Sequence, residues 1–385
     1  MRFLSTVAVV ATAVLAVVSD ITHAQATAGT FDKLTGDVVV IHGWGGSKLV
    51  DTTKNNEVYW LTEEVVNNQV HPPMHLPINN RDDDYHPVKN SGYLESSSFL
   101  AYYTPFLNAI QQAAQASAGR FRVHLFDYDF RRDNVDTTQK FVAYLNNIYN
   151  GNGKKKMSVI SHSMGGVITM AAIHQAPHLI GSVVMAGPPF NGSITALHDK
   201  LEGAPVGTNT EVFSADTHFL LRSSFCFFPF DGTGLVRADG SELIIDYFNP
   251  INWWVHKLAA PLKSTATSAI GTYQERVAYM IYAVSKAALI KFQMYARPFF
   301  PYPKIAILAG NQIPTVYRYP ATFAADGSLN VNYANAINVP GDGLISLQSV
   351  RPPTGIPHTI FYTANDHMTL LNDLTAVGQA INSVA

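Results

Sequence analysis

The sequence predicts an α/β fold, in which helices flank a mainly parallel β-sheet. Short apolar runs typical of buried strands alternate with longer runs of helical spacing, and this alternation favours parallel pairing. No repeat with a period of about 20–50 residues is visible, which argues against solenoids and propellers. Apolar residues make up 47% of the 385 residues, enough for a sizeable core.

Six apolar runs are the predicted strands: residues 37–41, 122–126, 157–160, 182–186, 304–309 and 359–362. Among these strands lie four predicted helices: residues 99–116, 137–149, 167–174 and 265–295. The first helix is expected to start near Pro105, because a helix tolerates proline in its first turn but not in its interior.

Two stretches interrupt this alternation. Residues 51–98 are polar and proline-rich, so we expect irregular structure there. Residues 203–300 contain a phenylalanine-rich run at 225–230 and two adjacent tryptophans. We predict one domain over residues 30–385, with a lid-like insertion at 51–98 and a cap insertion at 203–300.

The first 24 residues have the pattern of a secretory signal peptide. Arg2 precedes an almost unbroken apolar run at 3–18, and residues 22–24 offer a cleavage site. An uncleaved signal anchor is the alternative, but the run is shorter than the ~20 residues that a membrane-spanning helix needs. We therefore expect cleavage after residue 24 and a secreted protein, or one in the secretory-pathway lumen. The single cysteine, Cys226, excludes an intrachain disulfide.

Composition and charge narrow the class of function. The formal net charge is −2 at pH 7, so nucleic acid is not an expected partner. Charged residues are only 14% and aromatic residues are 11% of the chain, which favours an apolar ligand. No cluster of histidine, cysteine and acidic residues has the spacing of a zinc site, so no metal or other cofactor is expected.

The most informative motif is SHSMGG at residues 161–166, between a predicted strand and a predicted helix. A serine with small residues two positions before and after it is typical of the nucleophile elbow of α/β-hydrolases, usually G-x-S-x-G. Ser161 stands here in place of the first glycine. The elbow predicts Ser163 as a nucleophile and the Met164 backbone N–H as a donor to the oxyanion of acyl transfer. An ordinary strand, turn and helix with small packing residues is the alternative.

A glycine-rich turn, HGWGGS at residues 42–47, follows the first predicted strand. In α/β-hydrolases an early turn of this kind supplies the second oxyanion N–H, which we assign to Trp44. A phosphate-binding loop is the alternative, but it would need GxGxxG or a GK[ST] ending, and neither is present.

The acid and the histidine of this fold follow the serine in the order Ser, Asp or Glu, His. Asp342 lies in a glycine-flanked turn and His367 follows the last predicted strand, so we predict that Asp342 orients His367 as the general base. His358 is the competing histidine, but it precedes that strand. The predicted catalytic residues are therefore Ser163, Asp342 and His367.

A series of segments, in this order along the chain, is similar to the motifs of a known enzyme family. The segments are VIHGWGGSKL at 40–49, FDYDFRR at 126–132, SHSMGG at 161–166, AGPPFNG at 186–192, GNQIPTVYRY at 310–319, and GDG at 341–343 with His367. This series resembles the lecithin:cholesterol acyltransferase family, which includes lysosomal phospholipase A2-like and phospholipid:diacylglycerol acyltransferase-like enzymes. The chain departs from that pattern at His42, where proline is usual, and at Leu344 and Ile345, where threonine and valine are usual. It also lacks the cysteine pairs of animal relatives.

The resemblance implies a lipid ester substrate, an acyl-enzyme on Ser163 and action at a membrane or lipoprotein surface. The expected function is transfer of a fatty acyl group from a phospholipid to a lipid hydroxyl or to water. A secreted lipase or carboxylesterase that only hydrolyses is one alternative, and a non-enzymatic lipid-binding protein is another. Phe225, Phe227 and Phe228 in the cap are candidates for contact with lipid or the acyl chain, with core packing as the alternative.

Overall fold

The structure is a computed structural model that describes residues 29–79, 87–94 and 102–385. The predicted signal peptide, residues 1–24, lies outside the described residues. Within the described ranges, no helix combines the length and the apolar character needed to cross a membrane.

The described residues form thirteen strands: β1 (Gly36–Ile41), β2 (Ser47–Asp51), β3 (Glu57–Trp60), β4 (Val88–Tyr93), β5 (Phe121–Phe126), β6 (Met157–His162), β7 (Ile180–Ala186), β8 (Leu235–Val236), β9 (Lys304–Gly310), β10 (Ile313–Phe323), β11 (Leu329–Val331), β12 (Ile337–Gly341) and β13 (Thr359–Thr363). They also form nine α-helices: α1 (Glu63–Val66), α2 (Thr104–Ala116), α3 (Asn134–Gly151), α4 (Met164–Gln175), α5 (Thr195–Glu202), α6 (Ala215–Leu220), α7 (Pro250–His256), α8 (Tyr273–Met294) and α9 (Leu374–Val384). A 3₁₀ helix, His367–Asn372, lies between β13 and α9.

Six parallel strands form the central sheet in the order β13-β9-β7-β6-β1-β5. All six strands predicted from the sequence are present in it, so the predicted α/β fold is confirmed. Because the strands are parallel, their carboxyl ends meet at one edge of the sheet, where this class of fold places its ligands.

Both faces of the sheet are covered, which explains the continuous apolar runs in the sequence. Val38 and Val40 of β1 belong to the core beneath α2 and α9, whereas Val39 and Ile41 belong to the core beneath α3, α4 and α8. All four side chains are completely buried.

The long helix of the second half starts later than the sequence suggested. We expected residues 265–295, but α8 spans Tyr273–Met294. The Glu275 N–H donates to Thr272 Oγ1 at 3.3 Å, and the Thr272 N–H donates to Glu275 Oε2 at 2.8 Å. This reciprocal capping box satisfies free N–H groups at the first turn and fixes the start of the helix.

Two mainly antiparallel sheets lie outside the central sheet, and the sequence analysis missed both. The first has the order β3-β2-β4, so the expectation of irregular structure over residues 51–98 is wrong for β3 and β4. The second has the order β11-β10-β12, with β8 paired to β10. Its longest strand, β10, contains Pro314 and Pro320. Because prolines in a sequence argue against a central strand, this strand was not predicted. The roles of residues 51–98 as a lid and 203–300 as a cap stay predictions.

Two rings of the phenylalanine-rich run are buried among other aromatic residues of the protein. Phe225 and Phe228 are 1% and 0% exposed. Their rings pack on Trp253, each at a centroid distance of 4.9 Å. These contacts agree with the core-packing alternative, and contact of the two rings with lipid or an acyl chain stays a prediction. Phe227 is half-buried, and its contact with lipid stays a prediction.

Candidate active site

Ser163 occupies a sharp turn between β6 and α4 at the carboxyl edge of the sheet. Its φ and ψ are 51° and −124°, a conformation that non-glycine residues rarely adopt. The Ser163 N–H donates to the Ala186 carbonyl at 2.7 Å, and its carbonyl accepts from the Gly166 N–H at 2.8 Å. These bonds hold the serine in the strained conformation that the nucleophile elbow requires.

The elbow is crowded enough to require the small residues that the motif supplies. A Cβ on Gly165 would lie 2.6 Å from the His42 carbonyl oxygen, and one on Gly166 would lie 2.7 Å from Pro188 Cβ. Such distances are closer than real carbon atoms approach. Helix α4 can therefore start beside the loop after β1 only with a glycine at 165, and beside Pro188 after β7 only with a glycine at 166.

The structure brings the three predicted catalytic side chains together. His367 Nε2 lies 2.8 Å from Ser163 Oγ, and His367 Nδ1 lies 2.8 Å from Asp342 Oδ2. Because a carboxylate only accepts hydrogen bonds, Nδ1 carries the proton and Nε2 is free to accept the serine proton. His358 is exposed, and its Nδ1 contacts the Ile356 carbonyl at 2.8 Å rather than this group.

Backbone groups orient the acid. Asp342 Oδ1 accepts the N–H groups of Leu344 at 3.0 Å and Ile345 at 2.6 Å, which leaves Oδ2 directed at His367. The His367 N–H donates to the Asp342 carbonyl at 2.9 Å, so the backbones are joined as well. A Cβ on Gly310 would lie 2.5 Å from Asp342 Cβ, which is why a glycine must end β9.

Gly187, after β7, makes room for the histidine. Its φ is +59°, and an added Cβ would lie 2.6 Å from Leu370 Cδ1 and 3.1 Å from His367 Nδ1. The segment AGPPFNG therefore serves the site through its backbone shape. The sequence analysis quoted this segment but gave it no physical role.

The loop after β1 lies against the serine, as predicted. A Cβ on Gly43 would lie 2.7 Å from Ser163 Cβ. The next residue, Trp44, packs its ring on Phe213 and Phe130 at centroid distances of 5.0 and 5.1 Å, and these contacts restrain the loop. Met164 is the first residue of α4, and the first N–H groups of a helix have no partner within it. The roles of the Trp44 and Met164 N–H groups as oxyanion donors stay predictions.

His42, which stands in place of the expected proline, has its own packing. Its ring stacks on Tyr128 at a centroid distance of 4.1 Å and meets the edge of Tyr93 at 4.9 Å. The Tyr128 hydroxyl donates to the His42 carbonyl at 2.8 Å. Two tyrosines thus restrain the loop at this position.

Sequence reasoning missed two further residues beside the site. His162 Nδ1 lies 2.7 Å from the Tyr103 hydroxyl, and His162 Nε2 lies 2.7 Å from the His367 carbonyl oxygen. Burial lowers the pKa of His162 to about 3, so its ring is neutral. Nothing in the spacing of residues 103 and 162 indicated that they would meet.

Metal ligands were not expected from the sequence. Among the residues that the structure describes, no group of three or more histidine, cysteine or acidic side chains is arranged to hold a metal ion. The chemistry available at Ser163 is that of a hydroxyl within hydrogen-bond distance of an imidazole, which in turn contacts a carboxyl group.

A family model described as lecithin:cholesterol acyltransferase matches residues 44–253, more than half of the chain. The chain belongs to the lecithin:cholesterol acyltransferase family. The match includes the Trp44 loop and the elbow and ends before the segments that carry Asp342 and His367.

Similarity to individual proteins is lower. An uncharacterized protein of Saccharomyces cerevisiae, YJR098C, is 22% identical over an alignment 414 residues long. The alignment covers 92% of this chain and 62% of the yeast protein. A triacylglycerol lipase of Pseudarthrobacter phenanthrenivorans is 32% identical over 79 residues, which are 20% of this chain and 25% of the lipase. A chain of the Tle4–Tli4 complex superposes with a TM-score of 0.58 at 12% identity, over 91% of this chain and 98% of that one. This likeness supports the α/β-hydrolase fold alone.

Proposed function

We propose that this protein is a serine-dependent lipid O-acyltransferase or phospholipase. It would move a fatty acyl group from a phospholipid ester to a lipid hydroxyl or to water. The observation that supports this most is the pair of 2.8 Å contacts that join Ser163 to His367 and His367 to Asp342. Membership of the family and the likeness to a triacylglycerol lipase support a lipid ester as the substrate.

In the first step, Ser163 Oγ attacks the ester carbonyl carbon while its proton passes to His367 Nε2. Asp342 stabilises the resulting imidazolium, and the N–H groups of Trp44 and Met164 hold the carbonyl oxygen as it becomes negative. His367 then donates the proton to the leaving lysophospholipid oxygen. The acyl group is left as an ester on Ser163.

In the second step, His367 Nε2 takes the proton of an acceptor hydroxyl, whose oxygen attacks the carbonyl carbon of the acyl-enzyme. The bond from that carbon to Ser163 Oγ then breaks, and His367 returns the proton to Oγ. Ser163 and His367 are only 8% and 5% exposed. Because bulk water has little access to a site this buried, an alcohol can compete with water for the acyl group. The proposed reaction therefore includes acyl transfer to an alcohol as well as hydrolysis.

Product analysis tests the proposal. Vesicles of acyl-labelled phosphatidylcholine, with and without a sterol or diacylglycerol, would be incubated with the purified protein. Label in a steryl ester or triacylglycerol would identify transfer, whereas label only in free fatty acid would identify a lipase that only hydrolyses. No product from vesicles or soluble esters would favour a non-enzymatic lipid-binding protein.

Ser163→Ala tests the nucleophile, and Ser161→Ala in the same elbow is its matched control. Loss of a triad nucleophile costs on the order of 10⁶ in kcat. Ser161 Oγ makes only a 3.5 Å contact with the Val184 carbonyl, so Ser161→Ala should keep most activity. A fluorophosphonate probe should label the parent and Ser161→Ala but not Ser163→Ala. Normal turnover by Ser163→Ala would rule out the serine mechanism.

Secretion and action at a lipid surface are part of the proposal, supported by the signal-like residues 1–24. N-terminal sequencing of the protein expressed in a secreting host should find Gln25 first. An intact Met1 on membrane-bound protein would favour the uncleaved anchor instead.

A further inference from the structure

A single row of hydrogen bonds connects the loop after β1 with the histidine of the site. The Gly43 N–H donates to the Tyr103 hydroxyl oxygen at 2.9 Å. That hydroxyl lies 2.7 Å from His162 Nδ1, and His162 Nε2 lies 2.7 Å from the His367 carbonyl oxygen. The row therefore begins one residue before Trp44 and ends on the backbone of His367.

The chemistry of the groups fixes the direction of every bond in the row. A carbonyl oxygen only accepts, so His162 Nε2 carries the proton. Burial lowers the pKa of His162 to about 3, so Nδ1 is unprotonated and accepts from the Tyr103 hydroxyl. Burial also raises the pKa of Tyr103, which keeps its hydroxyl protonated and able to donate. All three bonds run the same way, an arrangement in which each bond polarises the next.

We propose that Tyr103 is a positioning residue for the reaction: its hydroxyl, acting through His162, sets the loop that carries the Trp44 N–H relative to His367. The proposal rests on the function proposed above, because it assigns roles to Trp44 and His367. Tyr103 touches neither the substrate nor Ser163 Oγ in this arrangement. It acts on the two groups that must face the same carbonyl from different sides.

Tyr103 is well placed to transmit this constraint. It is 2% exposed and directly precedes α2. The carbonyl of the preceding residue, Tyr102, accepts from Asn372 Nδ2 at 3.3 Å, and Asn372 ends the 3₁₀ helix that begins at His367. The start of α2 is thus attached to the histidine segment independently of the row.

Removing the hydroxyl leaves two buried groups without their partner, the Gly43 N–H and His162 Nδ1. The loop can recover a partner for Gly43 only by moving, and that movement also displaces the next peptide, which carries the Trp44 N–H. Displacements of about 1 Å in a catalytic group lower rates by up to about 100-fold. The effect should fall on the transition state, since the oxyanion forms only there.

The test compares Tyr103→Phe with Tyr93→Phe on a short soluble ester. Tyr93 is also 2% exposed, and its hydroxyl contacts the Val40 and Phe126 carbonyls at 2.7 and 3.2 Å without entering the row. Tyr93→Phe keeps the ring that meets His42 and removes only these two contacts. Tyr103→Phe should lower kcat about 10- to 100-fold with KM nearly unchanged, whereas Tyr93→Phe should lower kcat less than about threefold. Melting temperatures of both variants serve as the measure of folding.

Binding of an alkylboronic acid gives a second readout that needs no turnover. Its adduct with a serine hydroxyl is tetrahedral and negatively charged, as the transition state is. Its inhibition constant for Tyr103→Phe should rise by the same factor as kcat/KM falls. The affinity of a fatty acid product, which lacks the tetrahedral centre, should stay within about twofold of the parent value.

A second pair of variants keeps the proposal testable if Tyr103→Phe folds poorly. His162→Gln retains one acceptor and one donor, whereas His162→Leu retains neither. The loss of kcat should therefore be larger in His162→Leu than in His162→Gln. Equal losses would overturn the proposal.

Equal kcat values in Tyr103→Phe and Tyr93→Phe would also overturn it. If Ser163→Ala is inactive in the same assay, that result removes only the role of Tyr103 and leaves the serine mechanism standing. If Ser163→Ala is fully active, the proposed function itself fails.

Discussion

Two buried clusters of this protein are held together differently. Around Ser163, hydrogen bonds of 2.8 Å join the side chains of Ser163, His367 and Asp342, and bonds of 2.7 Å join Tyr103 to His162 and His162 to the His367 backbone carbonyl. Around Trp253, aromatic rings pack at centroid distances near 5 Å. Directed bonds fix atoms within fractions of an ångström, whereas ring packing mainly removes apolar area from water. The first cluster should therefore determine rate and the second should determine stability.

Of the variants that test this comparison, His367→Ala should have the largest effect on kcat. Loss of the base of a triad costs on the order of 10⁶ in kcat, with little change in melting temperature. His358→Ala is the control, because His358 is exposed and contacts only the Ile356 carbonyl at 2.8 Å. Steady-state rates on a soluble ester decide between them. Inactivity of His358→Ala with an active His367→Ala would show that the base has been assigned to the wrong histidine.

Asp342→Asn should cost less, about 10⁴ in kcat. The amide preserves the shape of the side chain, but an NH₂ group facing His367 Nδ1 favours the wrong tautomer. The measurement is kcat together with the melting temperature. An Asp342→Asn variant within tenfold of the parent rate would mean that another group orients the histidine.

The sequence predicted the polar cluster better than its surroundings, and the reason is physical. Ser163, Asp342 and His367 each follow a strand or tight turn whose chain order and small neighbours are visible in one dimension. Tyr103 and His162 meet in the folded chain but are far apart in the sequence, so no local spacing predicts their contact. The capping signal of α8, Thr272 with Glu275, was readable in the sequence but was outweighed by the helical spacing before it.

The sequence left the role of the phenylalanine-rich run open for the opposite reason. A phenylalanine-rich run has the same composition whether it packs in a core or contacts lipid, and only its partners distinguish the two. Trp253 and Tyr247, which lie further along the chain, supply those partners.

Phe228→Ala tests the stability side of the comparison. Its ring is fully buried, so truncation should lower the free energy of unfolding by about 3–5 kcal/mol. Phe227→Ala, in which a half-buried ring is lost, should cost about 1 kcal/mol. Urea denaturation measures both, and the rate per folded molecule on a soluble ester should not change. A pair of stable variants that lose activity only on liposomes would instead support lipid contact.

An effect smaller than that of Phe228→Ala concerns the dependence of stability on pH. Burial lowers the pKa of His218, which lies beside Trp44, to about 4, whereas the unfolded chain has the ordinary value near 6.5. The unfolded state therefore takes up the proton first, and the stability that neutral His218 provides is present above pH 6.5 and lost as the pH falls towards 4. Between pH 7 and pH 5 the parent should lose about 2 kcal/mol more than His218→Phe. Equal losses in urea titrations would show that His218 is accessible to protons in the folded state.

Asp342 follows a strand of a different sheet from the strands that precede Ser163 and His367, and this matters if one part of the molecule unfolds before the rest. Ser163 and His367 follow strands of the central sheet, but Asp342 directly follows β12, which belongs to the smaller antiparallel sheet. Sub-global opening of that small sheet would withdraw the carboxylate while the serine and imidazole stay in place. Activity should then fade under mild denaturant in step with amide hydrogen exchange in β10 and β12, before the central sheet exchanges.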